Sequence, residues 1–345
     1  MKKRLLSLEV VRIIACLLVI TTHFIASIDG YEATGSFIYS NSLIPPHFFN
    51  VYLGDYGVNL FFFVSGAGLA YSNRGKWTSY YRKRAKSLYP MYWIAFFSIT
   101  SIEFIRNHGL GNGSNWEFLV SIIGLDGYSL LMGWEGYHFY QVGEWFLGCI
   151  ILMYLFFPLL YELYKRNWQA TAGAVIAVTI GLSYSNMNQE WFFLKYAYIV
   201  LGMVFVNKIR TFKSLHVWIV NGFLILLFAV GDRFLSYAVR RLIITWVTFS
   251  ILVLISELLS VFLEKHRNEI EKISSLTFPL YLVHHKIINY CMAQFDLQTI
   301  SKREVCLLYC IIVIVSVFIS EGMNYFYNQI QLRFHESFLK GRANE

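Results

Sequence analysis

Residues 5–26, LLSLEVVRIIACLLVITTHFIA, form an apolar run long enough to cross a bilayer, yet they carry Glu9, Arg12 and His23. Ionisable groups inside such a run are costly and mark a functional site by default. Arg12 and His23 are eleven residues apart, close to three whole turns at 3.6 residues per turn. Both side chains therefore leave one face of a helix, roughly 16 Å apart along its axis. Glu9 sits three residues before Arg12, the spacing at which a carboxylate pairs with a guanidinium and fixes its planar fork. A neutral imidazole titrates near pH 6.5, so His23 can take a proton from a hydroxyl as that hydroxyl attacks. Arg12 cannot do this, but it can hold a phosphate, a carboxylate or a developing oxyanion. A lone histidine near a helix end is ordinarily a packing residue. Three costly groups on one helix favour the chemical reading.

Three further stretches carry polar groups in apolar surroundings. Residues 57–68, GVNLFFFVSGAG, read either as an aromatic helix with small residues for close packing or as a thin channel wall including Ser65 and Gly66. Residues 81–93, YRKRAKSLYPMYW, are first a topology determinant; Arg82, Lys83, Arg84 and Lys86 also suit a nucleotide phosphate or an anionic lipid headgroup. In residues 274–286, SSLTFPLYLVHHK, Tyr281 and His284 lie one turn apart and share a face, with His285 expected to point elsewhere. Glu321 is a further carboxylate in an apolar segment, with no partner evident from the sequence.

The elements that must position these groups are helices. Of the 345 residues, 57% are hydrophobic and only 14% charged, and the mean hydropathy is +0.50, which describes a polytopic membrane protein. The expected fold is all-α. Ten candidate spans lie near residues 5–26, 58–72, 88–105, 144–161, 168–184, 191–206, 215–231, 242–262, 274–294 and 304–327. Most of the 29 basic residues fall in segments that alternate onto one side of such a bundle, which places both termini in the cytoplasm of a multi-pass cell-membrane protein. The first helix is expected to be retained, because its apolar run exceeds a signal-peptide core.

The net charge of +8 resides in short loops, not in a soluble basic domain, so no nucleic-acid partner is expected. The five cysteines lie in apolar segments without a C-x-x-C or a matching histidine pattern, so neither disulfides nor a metal is expected. Two segments on the outer side are long, at 27–57 and 107–143. The second includes a piece at 116–125 too short to span, expected to be re-entrant or interfacial. Beyond it, Tyr128, Trp134, Tyr137, Tyr140 and Trp145 suit either sugar stacking or an interfacial aromatic belt. The whole chain, 1–345, reads as one membrane domain.

Taken in order, these stretches resemble the acyltransferase 3 family of membrane-bound acyltransferases. Arg12 and His23 match its R-x10-H pattern, and Leu8 and Glu9 stand where the family usually has Leu and Asp. GVNLFFFVSG is similar to G-V-D-L-F-F-x-x-S-G, with Asn59 in place of Asp. RAKSLYPMYW resembles R-x-x-R-x-x-P-x-Y-W through Arg84 and Pro90, with Ser87 replacing the second arginine and Lys86 beside it. EWFLGCIILMYLFFPLL and SLTFPLYLVHH are similar to two later motifs, the second through Tyr281 and His284.

The resemblance implies transfer of an acetyl, or alternatively a succinyl, group from cytoplasmic acyl-coenzyme A to a sugar hydroxyl on an envelope or exported polysaccharide. On that reading His23, Arg12 and Glu9 are the catalytic group. Arg84, Lys86, Arg82 and Ser65 face the donor, while Tyr281, His284 and Trp145 face the acceptor. Membrane lipid and a polysaccharide-synthesis machinery are the further partners expected. The competing class is a polysaccharide exporter or flippase, which would move glycan without consuming acyl-coenzyme A.

Overall fold

The computed structural model describes residues 4–72, 76–109, 118–131, 133, 142–185, 191–209, 215–231 and 233–343. Helix α1 (Leu6–Ile28) leads through a short turn α2 (Tyr31–Thr34) to a hairpin, β1 (His47–Phe48) and β2 (Val51–Tyr52). Then come α3 (Leu53–Ser72), α4 (Trp77–Arg106), α5 (Phe118–Ile123), α6 (Asp126–Leu131), α7 (Glu144–Arg166) and α8 (Trp168–Leu182). The chain continues through α9 (Tyr196–Val204) with a π-helical turn at Phe205–Ile209, and α10 (Leu215–Gly231). It finishes with α11 (Tyr237–Leu258), α12 (Ser260–Lys265), α13 (Arg267–Met292) and α14 (Lys302–Ala343).

Five of these helices, α1, α4, α7, α11 and α14, are long and apolar enough to cross a membrane, and α8, α9 and α10 are shorter apolar helices. Helices α3 and α13 coincide with the two remaining segments expected to span. The all-α expectation needs one amendment, the four-residue antiparallel hairpin pairing His47 with Tyr52 and Phe48 with Val51. Its two turn residues, Phe49 and Asn50, both have positive φ, which is the backbone of a tight primed turn, but Phe-Asn is not the Asn-Gly pair that advertises one. The segment expected at 116–125 contains the short helix α5, which α4 holds by its side chains. Tyr92 donates to the Ser121 carbonyl, and Trp93 Nε1 donates to the Ile122 carbonyl at 2.9 Å. Trp116 lies outside the described residues.

Helix α4 starts eleven residues before the expected 88, so the cluster Arg82, Lys83, Arg84 and Lys86 sits on a helix and not in a loop. The expectation treats charge as a helix stop, whereas Lys and Arg are good helix formers that extend an apolar span into the interface.

Helix α1 packs against α3, α11 and α13, and α3 packs against α9. The last contact depends on two glycines: a Cβ on Gly66 would strike the Ile199 carbonyl oxygen, and one on Gly202 the Phe63 carbonyl oxygen. Backbones this close are the small-residue packing that apolar helices use in lipid.

Prolines inside α7 and α13 each remove a helical donor, and the freed carbonyls find side-chain partners. Pro158 orphans the carbonyl of Tyr154, which accepts from the Tyr80 hydroxyl at 3.0 Å. Pro279 orphans the carbonyl of Ser275, which accepts from Asn324 Nδ2 on α14 at 3.4 Å. Each proline thus becomes a tie to a neighbouring helix.

The long segment after α1 is anchored too. Asp29, buried at its start, accepts from the backbone N–H groups of Asn41 at 2.6 Å and Ser42 at 2.8 Å, and Asn41 Nδ2 donates to the Leu297 carbonyl at 2.7 Å.

Candidate active site

The amino-terminal part of α1 lines a cavity of about 500 Å³. Arg4, just before α1, and Arg12 on α1 face it, with Ser65 and Gly68 from α3, Arg84, Lys86 and Ser87 from α4, and Ser274 and Tyr281 from α13. Of the side chains expected to face a donor, Arg84, Lys86 and Ser65 are brought together here. Arg82 is exposed and does not line the cavity. Arg4 is a cation the sequence reading did not single out. Among the described residues neither Arg84 nor Lys86 is paired with a carboxylate, so the cavity presents unneutralised positive charge, suited to phosphate or carboxylate.

Arg12 is held as its spacing predicts. Its Nη1 donates to Glu9 Oε2 at 2.7 Å and to Ser274 Oγ at 3.3 Å, and the Ser274 hydroxyl donates to the same Glu9 oxygen. Arg4 Nη1 lies 3.7 Å from that oxygen. Glu9 is buried and does not line the cavity, so it positions Arg12.

Three turns further along α1, His23 lines a second cavity, of about 420 Å³, with aromatic walls that include Trp145, Tyr31, Phe37, Tyr52 and Tyr237. The two cavities meet α7 at consecutive residues: Phe146 lines the basic one and Trp145 the aromatic one. Phe146 packs against two other residues that line the basic cavity, Phe61 at 5.8 Å and Tyr281 at 5.2 Å between ring centroids.

His23 faces a carboxylate. Its Nε2 lies 3.2 Å from Glu144 Oε2, the first residue of α7. Across the carboxylate, His285 Nδ1 is 2.9 Å and His284 Nε2 3.8 Å from Oε1. The expectation that His285 points away is corrected. Glu144 enters the groove between α1 and α13, and two imidazoles one position apart on α13 straddle it. His284, expected to touch an acceptor, is fully buried and lines none of the cavities described here.

Glu144 is the residue the sequence reading missed. Its backbone φ is 38°, directly after Gly143 at 90°, and the Gly143 carbonyl accepts a hydrogen bond from Tyr281. A left-handed non-glycine residue costs energy and persists where surrounding contacts demand it, commonly at functional sites. At sequence level a glutamate opening an apolar helix looks like an ordinary helix-dipole residue. Glu321 loses its isolation: Lys272 Nζ lies 2.9 Å from it, which supplies the partner the sequence does not name. Trp134, Tyr137 and Tyr140 lie outside the described residues. Tyr128 is buried, and its hydroxyl oxygen accepts from the Phe192 backbone N–H at 2.8 Å, which is a packing role.

A histidine beside a carboxylate, opening onto one cavity while a cationic cavity meets the same helix α1 and the adjoining residue of α7, has the parts for proton abstraction beside an anion-binding site. The protein comparisons agree in kind. Over 138 residues the chain is 33% identical to "Acyltransferase MdmB" of Streptomyces mycarofaciens, a match covering 36% of this chain and 34% of that protein. The matched region is thus about a third of the relative's length. No solved structure matches the chain. The family profile described as an acyltransferase domain runs over residues 5–321, taking in the aromatic cavity, most of the basic one and the His23–Glu144 pair, and the chain therefore belongs to the acyltransferase 3 family.

Proposed function

We propose that the protein transfers an acyl group, acetyl or succinyl, from acyl-coenzyme A to a hydroxyl of an envelope or exported polysaccharide. It crosses the cell membrane ten times with both termini in the cytoplasm, and the basic cavity faces inward. The observation carrying this reading is the pair of cavities that meet α1 at Arg12 and at His23, since a charged donor and a polyol acceptor need opposite surroundings. Arg84 and Lys86 grip the donor phosphates, the pantetheine arm passes Ser65 and Arg12, and the thioester carbonyl reaches Phe146. Trp145 offers a flat face to a sugar ring in the outer cavity. His23 donates its Nε2–H to Glu144, which leaves the lone pair on Nδ1 to take the acceptor proton as the alcohol attacks. The product is an ester on the outside and a coenzyme thiol on the inside.

Right-side-out vesicles loaded with acetyl-coenzyme A labelled in its acetyl group provide the test. Label should appear in a base-labile ester on external polysaccharide. Glycan movement without consumption of the thioester would establish the exporter reading instead. A narrower prediction concerns the donor grip. Arg84→Ala should raise the donor KM by about tenfold or more with a smaller change in kcat, because a charge-assisted hydrogen bond contributes about 1.5–3 kcal/mol. An unchanged donor KM would remove Arg84 from the site.

A further inference from the structure

We infer that His23, Glu144 and His284 form a binding site for one divalent transition-metal ion of the zinc class, and that the ion holds the enzyme inactive.

Three ligand atoms already converge. His23 Nε2 is 3.2 Å from one oxygen of Glu144, His284 Nε2 is 3.8 Å from the other, and one ligand atom from each residue falls within 4.8 Å of the other two. A tetrahedral ion with bonds of about 2.0–2.1 Å needs ligand atoms about 3.3 Å apart, so small side-chain adjustments complete the site.

The tautomer of His284 is the independent observation. Its Nδ1 lies 2.7 Å from the Tyr281 backbone carbonyl, which can only accept, so Nδ1 carries the proton and Nε2 carries the lone pair. That Nε2 is buried, has no hydrogen-bond partner among the described residues, and is directed at Glu144. An imidazole whose outer nitrogen donates to a carbonyl while its inner lone pair faces a carboxylate is the arrangement that orients a metal-ligating histidine. A donor set of imidazole and carboxylate without thiolate suits zinc and its neighbours. Two neutral imidazoles and one carboxylate would leave the bound ion one positive charge. Its open position would lie on the His23 side, where the aromatic cavity provides an entry path. Cysteine spacing gives no hint of such a site because no cysteine takes part.

The inhibitory half of the inference rests on the reading of His23 as the base. An ion on His23 Nε2 forces the ring proton onto Nδ1, the nitrogen that must accept the proton of the alcohol. Metal occupancy and base catalysis therefore exclude each other.

The test uses the full-length protein in detergent, stripped with a chelator and titrated with Co²⁺ and Zn²⁺. The expected result is one Co²⁺ per chain with the visible absorption of a low-coordinate ion, displaced by Zn²⁺ and weakened at least about tenfold in His284→Gln. X-ray absorption of the zinc-loaded wild-type protein should show two or more imidazole ligands and no sulfur, a readout that does not depend on how the variant folds. Absence of stoichiometric binding, or fewer than two imidazoles, overturns the site and leaves the function of His23 untouched. Zn²⁺ should also abolish acyl transfer reversibly. Binding with the expected ligands but undiminished transfer would keep the site and overturn both the inhibition and the role of His23 as base.

Discussion

His23→Ala is expected to lower acyl transfer by about 10²- to 10⁴-fold, the range typical of a general base, with the KM for the donor changed little. Glu144→Gln is expected to fall in the same range. The amide keeps the size of the carboxylate but can present its NH₂ to His23 Nε2, which selects the wrong tautomer and leaves the imidazolium formed during attack uncompensated. On the proposed reading the two residues act as one unit, so the double variant should be no slower than the slower single one. Turnover of matched amounts of purified protein, with donor KM measured alongside, checks all three. Full additivity of the two losses would mean that Glu144 acts independently of His23, and normal turnover in His23→Ala would dismiss the mechanism.

Gly66→Ala is expected to cost about 3 kcal/mol or more, at or above the upper end of ordinary overpacking, and Gly202→Ala a similar amount. In each case the added methyl meets a backbone carbonyl of the facing helix, which cannot rotate away as a side chain would. Either α3 and α9 separate along their length or the change is not accommodated. The matched control is Gly173→Ala on α8, where an added Cβ has nothing within 4 Å, so the better helix propensity of alanine should leave stability equal or slightly higher. Thermal unfolding in detergent distinguishes them. Equal midpoints for all three variants would show that the α3–α9 contact is looser than described.

The apolar runs make the helices legible from sequence, because a membrane span needs the same composition along its whole length. Polar positions on a helix are legible in part. Glu9, Arg12 and Ser274 form their cluster as the three-residue spacing on α1 suggests, while the contribution of α13 to it depends on tertiary packing. The His23 partnership was hidden for the same reason. Glu144 is far from His23 in sequence, its own left-handed position is held by a residue that rarely adopts it, and pairing rules within one helix do not reach across three helices. Helical phase also misassigns His285, because a ligand group that enters a groove end-on can be reached by two adjacent positions. Arg82 shows the converse limit: membership of a basic cluster does not decide which cation turns inward.

The opening of two separate cavities at the adjoining residues Trp145 and Phe146 has an electrical consequence. On the proposed reading the alcohol loses its proton in the aromatic cavity, while the departing thiolate needs one in the basic cavity. If no proton passes between them, each ester formed moves one elementary charge outward. Against an interior-negative potential that work amounts to about 2.3 kcal/mol per 100 mV. Esterification of the polymer would then be coupled to membrane voltage by the separation of the two cavities.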